Sequence, residues 1–241
     1  MPRFFMPKEE IAPDSFTLSK ENAAHLRVLR LKNGDAVTVC DGAGTDYECL
    51  IEDGNSGRLS VTCVSPSKSE PQVFASVYMA FAKSDKFEHV IQKATELGAS
   101  EVVCFPSSRC VSRPDERSLK AKLDRWSKIA ASAAGQSGRG VIPQIIALPS
   151  YAAALARAAS AALAVCFYEN EKSLTYCAAI SQKPFRTASI LTGPEGGFSE
   201  EEIRQAAAAG LQICTLGRRI LRCETAPLCA LSALMYATGE F

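Results

Sequence analysis

Histidine is nearly absent from the 241 residues, with only His25 and His89, and the ten cysteines form no Cys-x-x-Cys pair. Zinc-finger and zinc-ribbon ligand sets are therefore excluded, and no metal is expected. Most cysteines sit inside apolar runs: Cys40 in AVTVC, Cys104 in EVVCF, Cys166 in LAVCFY and Cys214 in LQICTLG. They read as small buried hydrophobes of a reducing cytosol. No apolar stretch free of charge reaches the ~18 residues of a membrane span. Residues 1–13 lack the long apolar run of a secretory signal, so a cytoplasmic protein is expected. An excess of one charge is lacking too, the net charge being +1. By region, residues 1–70 hold 8 Lys/Arg against 11 Asp/Glu, residues 71–140 hold 11 against 7, and residues 141–241 hold 8 of each. A phosphate-binding surface would draw mainly on the middle segment.

What is present is ordinary globular material, 47% apolar and 22% charged, enough for a real core. Residues 34–65 read as short strands punctuated by Asp-Gly, Asn-Ser and Ser-Gly clusters, which indicate hairpins and a small β-barrel. The segment SPSKSEPQ, residues 65–72, breaks this pattern and marks a domain boundary near residue 70. Beyond it, strands such as VFASVYMAF and EVVCF alternate with helices such as DKFEHVIQKATELG. That grammar predicts α/β architecture with a mostly parallel sheet over residues 71–241.

Two segments carry candidate chemistry. In LTGPEGGFSEEEI, residues 191–203, a strand ends in a glycine-rich turn that opens a helix. Ser199 and Glu202 form a capping-box pattern. Ligands of open α/β sheets bind beyond the carboxyl ends of strands, where this loop lies. The loop has neither the Gly-Lys-Ser/Thr of a P-loop nor G-x-G-x-x-G. Glu200, Glu201 and Glu202 at the helix start disfavour phosphate. A neutral or cationic ligand suits it better. A plain strand–helix turn is the bland alternative. The second segment, LGRRILRCETAP at 216–227, is another glycine-containing strand end. The two together predict two walls of one pocket, with Arg218, Arg219 and Arg222 at the rim.

GPEGGFSEEE followed by LGRRILRCETA resembles the paired C-terminal motifs of the SPOUT methyltransferases, most closely the bacterial 16S ribosomal RNA uridine-N3 methyltransferases. Upstream, AKSDKFEHVIQKATELGASEVVCFPSSRCV and WSKIAASAAGQSGRGVIPQI are similar to that family's segments, with Lys83, Lys93, Glu96, Gln136, Ser137 and Arg139 at familiar places. Gly135 departs from the pattern, standing where an acidic residue is expected. MPRFF and HLRVLRLKNGD resemble its PUA-like RNA-binding domain. The resemblance implies a PUA-like barrel over 1–70 and a knotted, homodimeric methyltransferase domain over 71–241. It implies S-adenosylmethionine as cofactor, which carries a sulfonium and no phosphate. It places that cofactor at Leu191, Thr192, Gly193, Glu195, Gly196, Gly197, Leu216, Gly217, Ile220, Leu221 and Arg222. Arg3, Arg27, Arg30, Lys83, Lys93, Gln136 and Arg139 become the RNA-binding candidates, and ribosomal RNA of the small subunit the partner.

Methylating uridine N3 requires loss of a proton held roughly two pKa units above neutral, a cost of about 3 kcal/mol. A base, or a donor to the flanking carbonyls, meets that cost. Arg222 is the candidate donor, and Glu195 and Glu224 are candidate proton acceptors. Helix capping is the alternative role for Glu224, and core anchoring for the segment Arg3–Phe5. A SPOUT enzyme acting on tRNA ribose, or a non-catalytic RNA-binding module, are the competing functions.

Overall fold

A computed structural model of the chain describes residues 1–182 and 184–241. It divides into two compact units, Met1–Glu70 with Ala131–Ile142, and Pro71–Ala130 with Pro143–Phe241.

In the first unit the chain forms β1 (Arg3–Phe5), β2 (Ser15–Thr17), α1 (Lys20–Val28), β3 (Ala36–Cys40), β4 (Thr45–Asp53) and β5 (Arg58–Pro66). The mixed sheet runs β1-β3-β4-β5-β2, with only β1 and β3 parallel. In β4 Tyr47, Cys49 and Ile51 are buried while Glu48, Leu50 and Glu52 are exposed, the period-2 alternation of a half-buried strand. The inward residues meet Phe4, Phe16, Leu26, Val37, Val39 and Leu59 in one core. One feature extends the sequence reading. Strands β1 and β2 lie outside the predicted stretch, because three residues are too few for an alternation to register. They form the two ends of the strand order in a curled mixed sheet.

The second unit holds β6 (Phe74–Ala80), α2 (Ser84–Glu96), β7 (Glu101–Phe105), most of α3 (Glu116–Ser137), β8 (Gln144–Ala147), α4 (Tyr151–Ala158), β9 (Leu163–Phe167), α5 (Tyr176–Ile180), β10 (Thr187–Thr192), α6 (Glu200–Ala208), β11 (Gln212–Cys214) and α7 (Thr225–Ala237). Helix α2 forms because Phe87, Val90, Ile91 and Ala94 make one buried stripe. It stops at Gly98, whose φ of +95° suits glycine. A Cβ there would come within 2.7 Å of Pro71.

All six strands of this unit are parallel, in the order β11-β9-β10-β6-β7-β8. Tyr78, Val103, Cys166 and Leu191 pack with α4 and α6 residues in one core cluster. The intervening Val77, Met79 and Ile190 are equally buried, as expected of a parallel sheet covered on both faces. Helix α7 packs on β6, β10 and α2. The chain lays down β6, β7 and β8 in one direction, crosses back for β9, inserts β10 between β9 and β6, and ends at β11 beyond β9. This order sets the carboxyl ends of β9, β10 and β11 side by side. No helix among the described residues is long and apolar enough to cross a membrane.

Candidate functional site

Those three strand ends open into a cleft of about 460 Å³. One wall is the turn Gly193–Phe198 after β10; the other runs from Thr215 to Cys223 after β11. Phe167, Tyr168 and Glu169 after β9 close the side, and Lys86 of α2 and Ala226 of α7 complete the lining.

The first wall is tightly built. The side chain of Ser199 accepts from the Glu202 N–H at 3.2 Å, and the Glu202 carboxylate accepts from the Ser199 N–H at 2.9 Å. The same carboxylate accepts from the N–H and hydroxyl of Ser108, at 2.7 and 2.8 Å. Arg109 donates to the carbonyls of Gly196 and Phe198, at 3.1 and 3.3 Å. Two glycines are required here. A Cβ on Gly193 would lie 3.2 to 3.3 Å from backbone atoms of Gly197 and Phe198. Gly197 has φ +65°, and a Cβ on it would approach Glu169 to 2.9 Å.

The sequence places three carboxylates in the first turn of α6, where they would repel a phosphate, and assigns Glu202 to a capping box, which the structure contains. Glu202 turns inward, is buried, and accepts from the N–H of the N-cap residue Ser199. Glu201 pairs with Arg204 at 2.6 Å. The chain's own anion thus sits at the helix terminus. Burial alone would raise the pKa of Glu202, but the donors of Ser108 and Ser199 outweigh it and hold it below the ordinary range. A carboxylate depressed in the folded state stabilises the fold above its unfolded pKa, and that contribution fades as pH falls through the folded value. Glu202→Gln is therefore expected to cost about 2 kcal/mol at neutral pH. Thermal melts should show the gap between native and variant closing in acid; a gap independent of pH would count against this role.

The electrostatic centre of the cleft is Lys86. Its Nζ lies 3.8 Å from Glu195 Oε1 and 3.4 Å from Glu224 Oε2. Glu195 Oε1 also accepts from the Lys83 N–H at 3.0 Å. Its other oxygen, Oε2, is buried without a hydrogen-bond partner. Burial followed by the neighbouring Glu224 and Glu195 pushes the Cys223 thiol up to about 12. It stays protonated at neutral pH and donates to Glu224 at 3.2 Å. Burial would raise Glu224, but its own backbone N–H, Cys223 and Lys86 together hold it below the ordinary range. Glu224 stands at the N-cap of α7, yet its side chain makes no capping hydrogen bond. The capping alternative is thereby set aside.

Of the residues singled out in the sequence, Thr192, Gly193, Glu195, Gly196, Gly197, Leu216, Gly217, Ile220, Leu221 and Arg222 all line this cleft, with Glu224 beside it at Lys86. Leu191 is fully buried in the core beneath. Among the described residues Arg218, Arg219 and Arg222 make no ion pair and are exposed. The RNA-binding candidates divide. Arg27, Arg30, Lys83 and Gln136 are exposed. Arg3 is bound to Asp46 at 2.7 Å, Lys93 to Glu96 at 2.8 Å, and buried Arg139 to Glu70 at 2.6 Å. Lys86 and the Phe167–Glu169 segment went unnoticed in the sequence. The polar Tyr-Glu-Asn following the buried strand LAVCF was a usable signal for the latter, since it is a third strand end of the same kind. Among the described residues no cluster of three or more His, Cys, Asp or Glu is placed to hold a metal.

Comparison with known proteins is consistent across the chain. The RNA methyltransferase domain family matches residues 68–235, and the RNA methyltransferase PUA domain family matches residues 18–62. Ribosomal RNA small subunit methyltransferase E of Bacillus subtilis is 34% identical over 250 residues, covering 99% of this chain and 97% of that protein. The protein of that name from Mesomycoplasma hyopneumoniae is 32% identical over 228 residues, covering 95% and 96%. Among solved structures, ribosomal RNA small subunit methyltransferase E from Neisseria gonorrhoeae, bound to S-adenosyl methionine, superposes with TM-score 0.87 at 29% identity, covering 98% of this chain and 97% of that one.

Proposed function

Since the chain belongs to the ribosomal RNA small subunit methyltransferase E family, we propose that it transfers a methyl group from S-adenosylmethionine to N3 of a uridine in small-subunit ribosomal RNA. The observation that carries this reading is the cleft formed by the strand ends of β9, β10 and β11. Its volume falls in the range of small-molecule sites. The glycines of the first wall and Gly217 of the second let backbone approach a ligand closely, and Leu216 and Leu221 add apolar surface. The unpartnered Glu195 Oε2 is an acceptor for an amino or hydroxyl donor. The head of α6, with Glu200, Glu201 and Glu202 in its first turn and Glu202 against the Ser199 N–H, disfavours a phosphate. These features fit a phosphate-free, cationic cofactor.

Thr192, Gly193, Glu195, Gly196, Gly197, Leu216, Gly217, Ile220, Leu221 and Arg222 would hold that cofactor. When bound, S-adenosylmethionine supplies an electrophilic methyl group. The chain's own task is to ready the uridine. Arg222, exposed on the wall, would donate to a carbonyl beside N3 and stabilise the anion. Glu195 or Glu224 would receive the proton. The base must be presented unpaired, because pairing engages N3. Arg27 and Arg30, exposed at the end of α1, are the candidates for gripping RNA phosphate in the first unit.

The same reading places the chain in the SPOUT class, with a knotted C-terminal end and a homodimer. The insertion of β10 between β9 and β6 supports the former. For the latter, α7 carries no charged residue and exposes Cys229, Tyr236 and Ala237, the kind of surface that protein interfaces favour. Sedimentation at twice the 25.8 kDa chain mass checks the dimer.

The reaction is tested by incubating the protein with labelled S-adenosylmethionine and small-subunit ribosomal RNA, free or assembled, and digesting the product to nucleosides. The label is expected in 3-methyluridine. Label in a 2′-O-methylated nucleoside would refute the N3 assignment, and no transfer to either substrate would refute the activity.

A further inference from the structure

Lys86 lies within the helical segment DKFEHVIQKATELG but was not among the residues singled out there, yet it joins the two walls of the cleft. It sits in the first turn of α2 with its side chain 23% exposed, between carboxylates exposed to 19% and 21%. Glu195 belongs to the turn after β10, and Glu224 follows the wall after β11. The two walls come from loops separated by all of α6 and β11. Helix α2 is a 13-residue element packed on α7 and is stiff enough to serve as their common frame. Its N-terminal N–H, from Lys83, holds the same Glu195 oxygen that faces Lys86. On the far side Glu224 also accepts a hydrogen bond from the Cys223 thiol.

We infer that Lys86 is a positioning residue: its ammonium ties Glu195 on one wall to Glu224 on the other and sets the spacing of the cleft between them. This rests on the reading of the cleft as the S-adenosylmethionine site. Two half-buried carboxylates without a cation between them repel, and the walls that carry them relieve that repulsion by moving apart at Glu195 and Glu224. A cleft that has parted no longer presents its glycine backbone to both sides of a ligand at once. The contacts of 3.4 and 3.8 Å are charge contacts rather than tight hydrogen bonds. Charge, and not exact side-chain shape, is therefore what the position needs.

Calorimetric titration of four proteins tests this: native, Lys86→Met, Lys86→Arg, and Lys86→Met combined with Glu224→Gln. Each is titrated with S-adenosylmethionine and with its uncharged product, S-adenosylhomocysteine. Lys86→Met is expected to weaken both ligands about tenfold, with the ligand-free melting temperature close to native. Lys86→Arg should recover most of the affinity. The double variant should bind more tightly than Lys86→Met alone, because one of the two unbalanced carboxylates is neutralised.

Three results would overturn the proposal. One is native affinity for both ligands in Lys86→Met. Another is tighter binding of the sulfonium alone, which would mean a through-space charge effect without any clasp. The third is a double variant no better than the single, which would mean a lost packing contact. If the native protein binds neither ligand, the cofactor reading itself fails and takes this proposal with it. That outcome is separable from the others because it is seen before any substitution is made.

Discussion

Gly193→Val is expected to weaken S-adenosylmethionine binding by more than about a hundredfold, roughly 2.7 kcal/mol. A Cβ at this position lies 3.2 Å from the carbonyl carbon of Gly197 and 3.3 Å from the Gly197 Cα and the Phe198 nitrogen. These are backbone atoms, so no side chain can swing aside, and valine adds two further carbons. The turn cannot relax at its far end either. There the capping box fixes Ser199 and Arg109 holds the carbonyls of Gly196 and Phe198. Overpacking of this kind costs about 1–3 kcal/mol, and the deformation falls on the wall that faces the ligand. Titration calorimetry measures the loss. The core of β10 and the head of α6 are untouched, so a cooperative melt should persist. Native affinity in this variant would place the cofactor somewhere other than the glycine-rich wall.

The second large effect is on chemistry. Arg222→Ala is expected to lower kcat about a hundredfold, in the range seen when one anion-stabilising donor is removed, with cofactor affinity changed only a few-fold. Arg222 is fixed at its backbone, since its carbonyl accepts the Thr225 and Ala226 N–H groups at 2.9 Å each. Its side chain is exposed at the cleft and, among the described residues, makes no ion pair. A cation anchored at its root and uncommitted at its tip suits a substrate carbonyl better than a structural role. Single-turnover methylation with saturating cofactor separates the two effects. Full turnover by Arg222→Ala would remove the arginine from the mechanism. A loss confined to cofactor affinity would make it a binding residue only.

Much of this site was legible in the sequence because its determinants are local. The capping box needs only Ser199 and Glu202, three residues apart, and the turn before it announces itself by its glycines. The helical stripe of α2 and the apolar runs of β6, β7, β9 and β10 are likewise local patterns. What escaped notice depends on contacts between distant segments. Nothing near Lys86 in the sequence distinguishes it from a solvated surface lysine; Glu195 and Glu224 do so only after folding. Arg3 and Arg139 look like exposed cations until Asp46 and Glu70 are brought against them. Ser108 meets Glu202 from the other end of the sheet's connectivity, and no spacing rule links them. Residues 131–142 fall inside the continuous domain 71–241 expected from the sequence, yet they group with the compact unit of the N-terminal strands. Strand order is the largest omission. Periodicity identifies strands but cannot say that β10 lies between β9 and β6, and that placement is what brings the two motif loops together.

The central claim, that the cleft between residues 193–198 and 215–222 is an S-adenosylmethionine site, is tested most directly by calorimetric titration of the native protein with that compound. Saturable binding at one site per chain is expected, with micromolar affinity of about −8 kcal/mol. Absence of binding by correctly folded native protein would contradict it.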